Sequence, residues 1–331
     1  MEVLGRSYSR EDLLRRCNPS ALYGARRMSL AQGRGKGIGI VEIKTTAGLR
    51  LTLLEDKCLD ILDLEYKGIN LAFLTKNGPV VENNPETGTF LKHWQGGFLG
   101  TCGLRNVGEP CTVNGEYFPF HGRIGVTAAE NVNISVNEEA IVVSGLIRES
   151  QLFGHCLEME RTITVPSDGT SVQVKDVVRN LTPEPEFVFV LYHINFGFPF
   201  LSEDLVVDFP KGERKGRTPE AQAIIDCCST FTKPEDGVPE HVFFHLPDAE
   251  EPTVVLNNKA LGLSAKLQYK KAQLPVLAEW RCMRSGDYAL GIEPSTSFIR
   301  ARAEELKNGY DIKVPGFGQL EYGFTLDLGG I

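Results

Sequence analysis

Three short segments of this 331-residue chain set an ionisable side chain among glycine, proline and aromatic residues. They are Phe120-His121-Gly122-Arg123, Tyr192-His193-Ile194-Asn195-Phe196-Gly197-Phe198-Pro199 and Gly291-Ile292-Glu293-Pro294. Two imidazoles and a carboxylate gathered in one place would supply an acid and a base that work near neutral pH, the minimum for moving protons between the oxygen atoms of a substrate. Alternation from Phe187 puts His193 on one sheet face with Phe187, Phe189 and Leu191. A core histidine with both nitrogens satisfied competes with that reading, but the turn-forming residues from Asn195 to Pro199 favour an imidazole at a pocket rim. Glu293 follows a strand too apolar to welcome a carboxylate and precedes a proline expected to end regular pairing. It is either ion-paired, with Arg105, Arg123, Arg300 and Arg302 as available partners, or a base whose pKa burial raises toward neutrality. Gly122 permits close approach of a ligand or backbone beside His121. Arg105 carries a planar fork suited to vicinal hydroxyls or a carboxylate, with an ordinary surface ion pair as the alternative. Trp94 and Trp280 present flat apolar faces for a ring to stack on, or for the core.

A scaffold must hold these groups, and the periodicity predicts one built of strands. Residues 37–45, 48–54, 59–66 and 69–74 read as four short strands in succession, and 132–136, 140–147, 157–165 and 171–178 continue the pattern. Residues 320–328 alternate cleanly as a closing strand. Strands at roughly ten-residue spacing with polar turns predict an all-β fold, a large sandwich of antiparallel sheets. Ser9 is a plausible cap for a short helix that Asn18-Pro19 breaks. Two irregular stretches, 91–125 and 192–210, interrupt the strands and are expected to carry the binding groups. The chain is expected to be one β-sandwich domain, 1–331, with residues 1–35 as an N-terminal extension packing on it.

Composition bounds the partners. Hydrophobic residues make up 42% and charged residues 24%, a globular balance. A net charge of −8 with only short basic runs argues against nucleic acid as partner. The sequence has no apolar run of signal-peptide or membrane-spanning length, so a cytoplasmic location is expected and a membrane is not. Eight cysteines lie without the paired spacing of a zinc site, and a joint metal site at Cys227-Cys228 is not expected because extended neighbours point to opposite faces. No cofactor and no metal are expected, and self-association is left open.

Taken together, Asp56 to Ile61, Gly97 to Gly108, Phe120 to Gly125, Tyr192 to Pro199 and Gly291 to Ser295 resemble, in order, segments of the aldose 1-epimerase, or galactose mutarotase-like, superfamily, and more closely a poorly characterised bacterial branch of it. The resemblance implies a β-supersandwich with a short partly helical N-terminal segment, and anomer interconversion of a monosaccharide or derivative. It also implies His193 as general acid toward the ring oxygen and Glu293 as general base toward the anomeric hydroxyl. Arg105 and His121 are implied as substrate-binding residues, with Arg123, Asn195 and Trp280 as further candidates around the same small carbohydrate. Where mutarotases proper usually show His-X-Tyr-Phe-Asn, this chain has His193-Ile194-Asn195-Phe196-Gly197, so the neighbours that contact hydroxyls differ. Two other readings use the same residues: a metal-assisted sugar epimerase or isomerase held by two histidines and a carboxylate, and a sugar-binding module without turnover.

Overall fold

The computed structural model describes residues 1–81 and 84–331. Its strands fall mainly into three antiparallel sheets. Eight strands form the largest, in the order Glu130–Val136, Ala140–Ser150, Cys156–Pro166, Ser171–Asn180, Gln319–Gly330, Leu263–Tyr269, Thr253–Asn258, Leu205–Asp208. Six form the second, in the order Gly212–Gly216, His241–Pro247, Val276–Arg284, Asp287–Ser295, Phe189–Phe196, Leu99–Leu104. Five N-terminal strands, Gly24–Ser29, Gly39–Lys44, Leu49–Leu54, Asp60–Tyr66 and Ile69–Asn70, form the third. The edge strand Gly24–Ser29 lies inside the segment expected to be an extension, and pairs along its length with Gly39–Lys44. The expected short helix spans Arg10–Leu14, and Ser9 and Asp12 cap it reciprocally.

Strict alternation explains how the six-stranded sheet can have one face in the core and one available for chemistry. Val190, Tyr192, Ile194 and Phe196 point into the main core, which they share with Leu290 and Ile292 and with residues of the other two sheets. Phe189 and Leu191 emerge on the opposite face beside Val242, Phe244 and Ala278. His193 and Glu293 follow that second parity.

Buried ions pin this sheet from the core side. The fully buried Arg161 donates to both oxygens of Asp176 at 2.9 and 2.7 Å and to Asp60 at 2.6 Å. Asp60 accepts in turn from the backbone N–H of Thr101 at 2.8 Å, and the Tyr192 hydroxyl donates to Asp176 at 2.8 Å. One guanidinium thus ties the strand that carries His193, and its neighbour at Leu99–Leu104, to the other two sheets. Removing either carboxylate would strand a buried charge, at a cost of about 3–5 kcal/mol.

Two expectations are corrected here. The 192–210 stretch is not irregular at its start, because Phe189–Phe196 is a continuous buried strand paired on both sides. Pro294 does not end its strand either, since Asp287–Ser295 runs through it and pairs with Val276–Arg284 up to Ser295. Lacking an N–H, the proline opens a gap on its other side instead, where pairing with 189–196 is recorded at Leu191↔Ser295 and Ile194↔Ile292 but not between. That gap lies beside His193 and Glu293.

Candidate active site

The registers Leu191↔Ser295 and Ile194↔Ile292 set His193 directly across from Glu293 on adjacent antiparallel strands, with both side chains on the outer face. Their meeting point is the floor of a cleft, where His193 is 7% exposed and Glu293 2%. The imidazole is therefore not at a pocket rim, and the two groups lie side by side rather than facing each other across a hollow. His193 Nδ1 is 3.1 Å from Glu293 Oε1.

The contact is not a simple ion pair, and Asn195 shows why. This fully buried side chain donates its Nδ2 hydrogens to the carbonyls of Gly97 and His193, both at 2.9 Å, so its Oδ1 is fixed as an acceptor. His193 Nδ1 lies 2.5 Å from that oxygen and must be the donor. The Nδ1 hydrogen is spent there, Glu293 Oε1 is left without a hydrogen bond, and the lone pair of the neutral ring sits on Nε2. Burial, reinforced by His121, pulls the His193 pKa down to about 3. Burial also pushes the Glu293 carboxyl well above the ordinary range, with Glu240 acting in the same direction and Arg217 opposing it. Both shifts favour the uncharged forms, a neutral imidazole and a carboxylic acid. Gly291 makes room for that acid: a Cβ there would lie 2.2 Å from Glu293 Oε1.

His121 stands over the pair. It adopts a left-handed backbone (φ 59°), followed by Gly122 at φ 76°, and a Cβ on Gly122 would meet the Gly103 carbonyl oxygen at 2.1 Å. Its Nδ1 is 2.6 Å from the Val107 carbonyl oxygen, which fixes Nδ1 as the protonated nitrogen and turns the other into an acceptor. Burial lowers its pKa to about 4. Its ring is 5.8 Å from that of His193. Trp94 and Trp280 approach the His193 ring at 5.0 and 5.4 Å and each other at 5.9 Å, forming an aromatic wall. The cleft is small, with a free volume of about 110 Å³.

The remaining sequence-based candidates lie elsewhere or act indirectly. Arg105 is 6% exposed, paired with Glu116 at 3.0 Å and Glu186 at 3.3 Å, stacked over Phe118, and absent from the cleft lining. Arg123 is engaged by Glu86 at 2.6 Å and by the Tyr117 carbonyl at 2.6 Å, beside a separate surface depression. Asn195 faces the His193 ring rather than the cleft space. The cation that does line the cleft, among the described residues, is Arg217, 2.7 Å from Glu109, and Glu240 lines it too, accepting a hydrogen bond from Trp280 Nε1 at 2.7 Å. Arg217 follows a charged hairpin strand and Glu240 sits in a polar loop, positions where sequence offers no signal beyond solvated charge.

Among the described residues, His121, His193 and Glu293 do not bring ligating atoms within 4.8 Å of one another, as a shared metal ion would need. No helix among the described residues is long and apolar enough to cross a membrane.

Comparison with known proteins places this geometry in context. The family described as Domain of unknown function (DUF4432) matches residues 35–328. No curated protein matches the sequence. A solved structure from Klebsiella pneumoniae, named provisionally as an aldose 1-epimerase, superposes with a TM-score of 0.86 at 24% identity, covering 94% of this chain and 86% of that one. A galactose mutarotase-like protein from Clostridium acetobutylicum gives 0.68 at 13% identity over 94% and 100% of the two chains. Galactose 1-epimerase from Lactobacillus acidophilus gives 0.64 at 12% identity over 93% and 99%. At these identities the likeness establishes the fold, a galactose mutarotase-like β-sandwich.

Proposed function

Since the chain belongs to the DUF4432 family, whose description names no activity, its reaction has to be argued from the cleft, and we propose a carbohydrate isomerase of the aldose 1-epimerase type. The observation that carries the reading is the His193–Glu293 pair at the cleft floor, with Nδ1 locked by Asn195 and the carboxyl shifted by burial toward its protonated form. Anomer exchange needs one proton removed from the anomeric hydroxyl and one delivered to the ring oxygen. The C1–O5 bond then breaks to give the open-chain aldehyde, rotation about C1–C2 presents the other carbonyl face, and the same transfers in reverse close the ring. With both shifts favouring the uncharged forms, the resting pair would offer His193 Nε2 as acceptor and Glu293 as donor, the reverse of the assignment implied by family resemblance. Each full cycle restores both groups, so no co-reactant is consumed. Trp94 and Trp280 offer stacking faces for the apolar side of the ring, and His121 an acceptor for a sugar hydroxyl.

Polarimetry and exchange NMR on a panel of neutral, phosphorylated and acidic monosaccharides test this reading. A positioned acid or base contributes roughly 10²–10⁴-fold, so Glu293→Gln and His193→Asn should each lose at least two orders of magnitude in kcat with unchanged circular dichroism. Near-wild-type exchange in either variant rejects the mechanism. Saturable sugar binding without exchange, retained in Glu293→Gln, supports a binding module instead.

A further inference from the structure

A second buried histidine–glutamate pair lies on the opposite face of the same sheet. His245 and Glu279 sit on neighbouring strands, His241–Pro247 and Val276–Arg284, with the parity that turns away from Trp280 and the cleft. His245 Nε2 is 3.0 Å from Glu279 Oε2, and Cys228, from the turn after Ile225–Cys227, closes the group. One ligating atom from each of the three lies within 4.8 Å of the other two. All three residues are at most 1% exposed.

We propose that Cys228, His245 and Glu279 form a structural binding site for a thiolate-preferring divalent transition metal, Zn²⁺ being the best match. Tetrahedral zinc with bonds of about 2.0–2.3 Å places its donors about 3.3–3.8 Å apart, a spacing that small side-chain adjustments give from the positions observed. The donor set is sulfur, nitrogen and oxygen, which zinc accepts and magnesium or calcium does not. A single His–Glu hydrogen bond leaves this group poorly satisfied, because Glu279 Oε1 and His245 Nδ1 are buried with no partner. A bound ion would recruit Glu279 as an anion, with Oε1 free to become a second oxygen ligand. Binding releases the thiol and carboxyl protons to solvent, and thiolate, carboxylate and Zn²⁺ sum to zero charge, the form that burial tolerates. The surroundings fit an outer shell. Arg214 Nη1 lies 3.3 Å from Cys228 Sγ, poised to donate to a thiolate, and Phe209 stacks on the His245 ring at 4.0 Å and 16°, fixing its plane. The preceding residue, Cys227, is exposed, so the group is one residue from solvent.

The test uses the full chain, freed of any histidine tag and stripped with chelator, then equilibrated with Zn²⁺ or Co²⁺. Elemental analysis should give one zinc per chain, and Co²⁺ should produce a thiolate-to-metal charge-transfer band. Cys228→Ser should abolish the band and weaken zinc binding at least tenfold, Glu279→Gln should weaken it similarly, and Cys227→Ser should change neither. X-ray absorption on the wild-type zinc form covers the case in which the variants do not fold: one sulfur with nitrogen and oxygen neighbours is expected. No stoichiometric uptake, uptake that survives Cys228→Ser, or a zinc shell with no sulfur or several overturns the assignment.

Discussion

The two histidine–glutamate pairs of the six-stranded sheet are built from the same residue types and differ in what surrounds them. At the cleft floor, Asn195 takes the Nδ1 hydrogen of His193, so the neighbouring Glu293 oxygen is left unbonded and Nε2 remains for a ligand. On the opposite face, no amide intervenes, and His245 bonds Glu279 directly within a sealed group that includes a thiol. Burial holds both histidines at about 3 and raises both carboxyls. Similar protonation therefore does not imply similar work. Access and the third residue decide whether such a pair is suited to transferring protons or to gripping an ion.

The comparison breaks most directly through activity. Glu293→Gln should reduce anomer exchange by at least roughly a hundredfold, whereas Glu279→Gln, on the far face, should leave the rate per folded molecule close to wild type. Equal losses in the two variants, measured by polarimetry on samples matched by circular dichroism, would mean that the faces are not independent. Gly291→Ala comes next. Its Cβ would intrude to 2.2 Å from Glu293 Oε1 and displace the carboxyl, and a misplacement of about 1 Å can cost on the order of 100-fold. The expected signature is a fall in kcat with little change in KM.

Asn195→Ala should have a smaller and more diagnostic effect. Without the amide, His193 Nδ1–H is free to turn to Glu293, now as a charge-assisted bond that favours the carboxylate. The alkaline limb of the kcat–pH profile should move to lower pH and the rate fall about tenfold. Difference infrared spectra should lose the protonated-carboxyl band that Glu293→Gln identifies in the wild type. An unmoved limb would show that Asn195 does not set the protonation of the pair.

How far the sequence disclosed these sites follows from the range of the interactions involved. Alternation from Phe187 was enough to put His193 on one sheet face with Phe187, Phe189 and Leu191, and a carboxylate after Tyr288-Ala289-Leu290-Gly291-Ile292 stood out because apolar strands seldom carry one. Both signals are local. Arg105 and Arg123 misled because an arginine beside glycine says nothing about which distant glutamate it will meet, and Glu116, Glu186 and Glu86 claim them. Pro294 was read by the general rule for central strands, whereas here only one of its two ladders gives way. The Cys228 group was hidden because its members come from a turn and two strands, with no spacing pattern to link them.

The smallest expected effect, and the one that treats both pairs at once, is the pH dependence of stability. The folded pKa values of His193 and His245, about 3, lie below the unfolded value near 6.5, so these groups add stability as pH rises from about 3 to 6.5 and lose it on acidification. Glu293 and Glu279 act oppositely: raised above the unfolded value near 4.3, they cost stability as pH climbs from there toward their folded values. Between about pH 4.3 and 6.5 the histidines' gain and the glutamates' cost oppose each other, and any decline on the alkaline side is the glutamates' contribution alone. Glu293→Gln and Glu279→Gln should each flatten that decline, as followed by the melting temperature across pH. Zinc should imitate the second substitution alone, because an ion that holds Glu279 as an anion removes its titration while leaving Glu293 untouched. If zinc leaves the alkaline slope unchanged, the distinction drawn between the two faces fails.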